Sequence, residues 1–335
     1  MTAFADDIAK WRAAASDRAP SYHRVLEEVV ALLADPFVAQ RFERAWHART
    51  FRAFYDRPLL FLASLRRDAL AEGPTHPLWP AIGARDADPA TVTRRALVES
   101  FERPGVWESL ATRFVQTNET SRAVAWLWPA AILRGPVALA EIGTAAGLNL
   151  VADHLDRPWT AADGKRLVPD VPKVVSRWGI DAHPLDACDD DDALWLRACV
   201  WAGENERIDR LEQAIAAFRG EPATLEKGDA ADAPGRLRTL PVPEGGVAIA
   251  FQTLVRDYLA PATLTAYEQG MRAWLSDTPR TVWVELEMDP ADPDHRVPIA
   301  AHVREERIVL GWTSYHPIAI AVDPDAVGRF AAKFR

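Results

Sequence analysis

A chain of 335 residues, 49% hydrophobic and 26% charged, with 13 Trp and 12 Phe to fill a core, has a globular composition with room for one large domain or two. Its net charge of −9 argues against nucleic acid as the main partner, because holding a polyanion draws on clustered Lys and Arg. No run approaches the ~20 apolar residues of a membrane-spanning helix, and the first residues hold no apolar signal core, so a cytoplasmic protein without a membrane partner is expected.

Up to residue 134 the apolar positions recur every three or four residues. In "YHRVLEEVVALLADPFVAQRFERAW", Val25, Val29, Leu32 and Leu33 share a face, and Phe42 and Trp46 extend the pattern past Pro36. "RPLLFLASLRRDALAEG" predicts a helix closed by Gly73. In "DPATVTRRALVESFERPG", Asp88 before Pro89 predicts an N-cap with proline at the first helical position. No strand is expected before Pro136, so residues 1–134 read as an all-helical domain.

From Pro136 short apolar runs alternate with helical stretches. The runs are "VALAEI", "KVVSRWGID", "ATLEKGD", "GVAIAFQT", "TVWVELEM" and a C-terminal pair from "IAAHVRE" and "RIVLGWTSYHPIAIAV". Between them "ENERIDRLEQAIAAF" places Ile208, Leu211, Ile215 and Phe218 on one face, and "PATLTAYEQGMRAWLSD" gives another helix. Strand, helix and strand in succession predict an α/β domain over residues 135–335, a parallel sheet covered on both faces. Two cysteines, Cys188 and Cys199, imply neither a disulfide framework nor a zinc site and read as buried thiols.

The first strand runs into a loop of tiny residues, "EIGTAAGLN". A turn from strand to helix at the carboxyl end of a parallel sheet is where ligands bind, and its glycines would allow a tight turn and close approach. The Walker pattern fails for want of Gly-Lys-Ser/Thr, and the dinucleotide pattern G-x-G-x-x-G fails because its later glycines fall on Ala145 and Leu148. What remains is acid-x-Gly-x-Gly/Ala-x-Gly, met by Glu141, Gly143, Ala145 and Gly147, with Asn149 closing the stretch.

This pattern resembles the first motif of class I S-adenosylmethionine-dependent methyltransferases. The resemblance implies a Rossmann-like methyltransferase sheet and S-adenosylmethionine as cofactor. It also implies a ribose-binding acid after the second strand, matched by Asp181, and an acid near the adenine after the third, matched by Asp229. The fourth strand would bring Phe251, Gln252 and Thr253 to the pocket floor. The long interval from Gly147 to Asp181 departs from a direct return to the second strand. An insertion around "DRPWTAADGKRLVPDVP" with a hairpin turn at Asp163-Gly164 accounts for it, and leaves Asp163 the weaker ribose acid. The closer resemblance is to an uncharacterised bacterial family, carried by "QTNETSR", "EIGTAAGLNL", "GIDAHPLD", "LRACVWAGENERIDRL" and Gly228-Asp229, with echoes in "AFQTLVRDYL" and "YHP". It implies a methyltransferase-like domain and no particular substrate.

Other candidates lie outside the loop. Thr117 and Asn118 could cap a helix, but Asn118, Glu119 and Arg122 cluster before the first strand, where Arg122 could pair with the methionine carboxylate. In-line methyl transfer chiefly needs alignment, with a base where the nucleophile carries a proton. Tyr258, Glu285, Glu287 and His316 are the candidates, the two glutamates sharing a strand face by their spacing. His295, His302 and His316 show no metal-ligand spacing, and the acids of "DACDDDDALW" read as a helix N-terminus. The expected function is methyl transfer from S-adenosylmethionine to an unidentified small molecule, with the N-terminal helices as substrate lid. The alternative is a non-catalytic sensor or scaffold that binds the same cofactor, and an NAD-dependent oxidoreductase is disfavoured by the misplaced glycines.

Overall fold

The computed structural model describes residues 2–15, 18–156, 158–161, 163–170, 173–289 and 296–335; His295 lies outside the described residues. Helices fill the chain before the sheet: α1 (Thr2–Ala15), α2 (Pro20–Leu32), α3 (Pro36–Trp46), α4 (Asp56–Glu72), α5 (Arg94–Phe101), α6 (Pro104–Thr112) and α7 (Val124–Leu133). Among the described residues no strand precedes Val137, and no helix is long and apolar enough to cross a membrane. Val25, Val29 and Phe42 are fully buried, whereas Leu32 and Leu33, at the break before α3, are only half-buried. Gly73, at φ +77°, ends α4 as its position predicts.

The signal at Asp88-Pro89 caps only a three-residue 3-10 turn. Helix α5 begins at Arg94, where the Thr93 hydroxyl accepts from the Ala96 N–H. Val92 intervenes in extended conformation with its side chain buried, so the chain cannot run helically from Pro89.

The sheet comprises β1 (Val137–Ile142), β2 (Thr160–Ala161), β3 (Val174–Asp181), β4 (Thr224–Lys227), β5 (Val247–Thr253), β6 (Thr281–Leu286), β7 (Val297–Val303), β8 (Glu306–Thr313) and β9 (Ala319–Val322). Their order is β2-β9-β8-β7-β6-β5-β1-β3-β4. Strands β4, β3, β1, β5 and β6 are mutually parallel, β7, β8 and β9 continue antiparallel, and β2 pairs parallel to β9. The winding therefore reverses between β1 and β5. All six β1 residues are buried because both faces are covered. Val137 and Leu139 face a core with Trp126 and Leu127 of α7. Ala138, Ala140 and Ile142 face Tyr267, Met271 and Trp274 of the helix Pro261–Asp277.

Among the described residues no α-helix lies between β1 and β2. Residues Leu148–His154 form a 3-10 stretch broken at Val151. The carbonyl of Asn149 is taken by Trp126 Nε1 and that of Leu150 by the Arg177 guanidinium, which draws both away from helical N–H donors. The hairpin turn at Asp163-Gly164 forms, with Gly164 at φ +79° and Ala161 N–H bonded to the Lys165 carbonyl.

Contacts divide the chain into two units, Met1–Thr117 with Asp189–Asp209, and Asn118–Cys188 with Arg210–Arg335. The first holds a cluster of edge-on aromatic rings, Phe4, Phe42, Phe61, Phe101 and Trp107. The helix Asp190–Cys199 belongs to it: Asp189 caps that helix, and Asp191 and Asp192 pair with Arg67 and Arg113. The acid run is therefore a helix N-terminus, as read. Burial pushes the Cys199 thiol up to about 12, but Cys188 is exposed, because it sits in a turn held by Asp186.

Candidate functional site

Strand β1 ends in a turn with three left-handed residues, Gly143 (φ +73°), Ala145 (φ +51°) and Gly147 (φ +71°). The N–H groups of Gly143 and Thr144 donate to the Ile180 carbonyl of β3, at 2.9 and 3.1 Å. Glu141, 1% exposed, closes the turn from within: it accepts from Thr144 Oγ1 at 2.9 Å and from Asn149 Nδ2 at 3.0 Å. Burial raises its carboxyl to about 8, against the pull of those two bonds. Glu141 and Asn149 thus hold the loop's shape.

The glycines meet protein where close ligand approach was expected. A Cβ on Gly143 would lie 2.5 Å from Val255 Cγ2, and one on Gly147 2.8 Å from Leu225 Cδ2 and 3.0 Å from Phe218 Cε2. Both are required by their φ and by packing.

Asp181 stands beside the turn. Its Oδ2 accepts from the Ala145 N–H at 2.9 Å and its Oδ1 from the His183 N–H at 2.8 Å. Asp163 pairs with Lys165 in the hairpin, 53% exposed. Asp229 lies one strand further along the same edge, exposed, capping a short turn through the Ala231 N–H.

Asn118 begins the second unit, and its Oδ1 accepts from the Ala146 N–H at 3.3 Å. Its Nδ2 and the Oδ1 of Asn149 are buried without a hydrogen-bond partner. The adjacent Glu119, 2% exposed, accepts from Ser121 Oγ at 2.8 Å, lies 3.4 Å from Arg210 Nη2, and faces His316 Nδ1 at 3.3 Å. Arg122 Nε donates to the Tyr315 carbonyl at 3.0 Å. Because β8 runs parallel to β6 after two antiparallel steps, the chain after Thr313 emerges at the carboxyl edge of the parallel strands. That edge, where the winding reverses, is where ligands bind in open α/β sheets. Asn118, Glu119, Arg122 and His316 therefore come together beside the turn. Arg210 joins them and was missed in sequence, although it lies in "GENERIDRL", where only the helix's apolar face had been read.

Gln252, Glu285 and Glu287 are tied up on the opposite face. Gln252, fully buried, accepts from Tyr267 Oη and from Trp283 Nε1 at 3.1 Å, and donates to Glu287 at 2.7 Å. Burial lifts Glu287 to about 7, although it accepts from the Val255 N–H at 2.9 Å and from Gln252. Glu285 meets His302 at 2.9 Å, Arg256 at 2.7 Å and Arg307 at 2.9 Å. Burial works to raise it, but these partners more than offset that and hold it near 2. The two glutamates share a side as their spacing predicts, the side of Trp283, whereas Glu141 follows Val137 and Leu139 on the other. Tyr258 is 58% exposed in the turn after β5.

No curated protein and no solved structure matches the chain. A family model does match residues 6–321, a span that takes in α2 to α7, the glycine turn and the His316 loop. The chain belongs to that family, described as an uncharacterized protein conserved in bacteria (DUF2332).

Proposed function

We propose that the second unit is a Rossmann-like methyltransferase domain that binds S-adenosylmethionine at the carboxyl edge and transfers its methyl group to a small molecule. The observation that carries this reading is Asp181: the acid ending the second parallel strand is bonded to the Ala145 N–H of the turn after the first. A carboxylate there would accept both ribose hydroxyls. The buried, unpartnered Asn118 Nδ2 and Asn149 Oδ1 fit a ligand offering both an acceptor and a donor, as an amino-acid end does. Asn118 and Arg122 would take its carboxylate, and Asp229 the adenine edge. The bound cofactor would supply an electrophilic methyl on a sulfonium. The chain's own residues then have to orient the acceptor and keep water out.

A sensor that binds the cofactor without transfer is favoured by one observation, the commitment of Gln252, Glu285 and Glu287 to an internal network. Calorimetric titration with S-adenosylmethionine, S-adenosylhomocysteine and NAD tests the shared premise. The first two are expected to bind and NAD is not. Asp181→Asn should weaken both by about tenfold, or ~1.4 kcal/mol, while Asp163→Asn leaves them unchanged. Binding of NAD alone, or a larger loss from Asp163→Asn, would overturn the assignment.

A further inference from the structure

Glu119 and His316 lie at opposite ends of the second unit's sequence, yet the carboxylate faces the imidazole at 3.3 Å. The pair stands at ion-pair distance without hydrogen-bond alignment. Nδ1 is buried while the His316 side chain as a whole is 29% exposed, so the exposed part of the ring lies away from Nδ1. A carboxylate on Nδ1 keeps the proton there and the lone pair on Nε2. Asn118, the residue before Glu119, is bonded to the Ala146 N–H of the glycine turn, which sets the pair beside the proposed cofactor edge.

We infer that His316, positioned by Glu119, is the general base for a hydroxyl-bearing acceptor; this rests on the methyltransferase reading above. In the step, an acceptor oxygen lone pair forms the bond to the methyl carbon, the carbon–sulfur pair stays on sulfur, and the hydroxyl proton passes to His316 Nε2. The imidazolium then returns that proton to solvent. A neutral hydroxyl needs such a base because its proton becomes strongly acidic only as the new bond forms. Glu119 does not reach the acceptor; it orients the ring and offsets the charge gained. The charged groups around the pair are Arg210 on Glu119, Arg122 at the Tyr315 carbonyl, and Asp257, whose charge acts on Tyr315.

The test uses the full chain with phenol and 4-nitrophenol as probes, labelled S-adenosylmethionine, and S-adenosylhomocysteine calorimetry on each variant. Glu119→Gln and His316→Gln should each slow methylation of phenol about 10²-fold near neutral pH, with S-adenosylhomocysteine affinity kept. The deficit should shrink as pH approaches the phenol pKa of about 10, and should be small for the already ionised 4-nitrophenolate, because a phenolate needs no base. In the free protein, nitrogen NMR should show the His316 proton on Nδ1. Equal losses on both phenols, no loss on either, a proton on Nε2, or no transfer to any phenol by protein that binds S-adenosylhomocysteine would each overturn this inference alone. Failure of the wild type to bind S-adenosylhomocysteine removes the underlying reading and this inference with it.

Discussion

Two buried glutamates on opposite faces of one sheet are driven in opposite directions. Glu141 has hydroxyl and amide donors and the charge of Arg122 to lower it, but desolvation outweighs them and its carboxyl rises to about 8. The folded state then holds a proton the unfolded chain has released, and stability from this group, present below the usual carboxylate pKa, is lost as pH climbs through about 8. Glu141→Gln should flatten the fall in unfolding free energy between pH 5 and pH 9 by roughly 3 kcal/mol, measured by urea unfolding at several pH values. Glu287, raised to about 7, acts in the same window and leaves a residual slope. Glu285 has the reverse sign: held near 2, it stabilises above the usual carboxylate pKa and loses that contribution as pH falls through about 2. Removing its charge leaves His302, Arg256 and Arg307 without their shared carboxylate, so Glu285→Gln should cost about 3 kcal/mol at pH 7 and less at pH 2.

At the scale of the element, the glycine turn is a folded unit in its own right. Gly147→Val places a branched side chain at φ +71° against Leu225 and Phe218, so it should destabilise the whole unit by more than about 2 kcal/mol. It is therefore a poor probe of binding, and Asp181→Asn is the better one. Ala145 is the left-handed position that carries a Cβ. Ala145→Gly relieves that strain and should raise stability by about 0.5–1 kcal/mol, read as a higher urea midpoint; a loss would show that the alanine methyl is needed for packing.

At the scale of the molecule, the change of hydrophobic period at Pro136 and the grouping of contacts fall at different places. Helix α7 lies before the change of period but supplies Val124, Trp126 and Leu127 to the core against β5 and β6. A fragment of residues 135–335 lacks this helix and leaves that face of β5 and β6 without its cover. It should show no cooperative urea transition, whereas residues 118–335 should unfold with a measurable one. Equal cooperativity in the two would mean that α7 is dispensable to the core.

The sequence by itself determined most of the elements, though not the start of α5 or the 3-10 stretch after β1. Strands covered on both faces must be short and apolar throughout, and a helix end such as Gly73 acts on its own neighbours, so both signals are local. The acid at the end of β3 was legible for the same reason, since Asp181 is the last residue of its strand. Which polar residues meet was decided only by the tertiary structure. Strand order brings His302, Arg307 and Arg256 onto Glu285 and His316 onto Glu119, and a carboxylate's charge state depends on those partners and on its burial. Neither is written in the spacing of nearby residues, because strand pairing joins positions far apart in the chain.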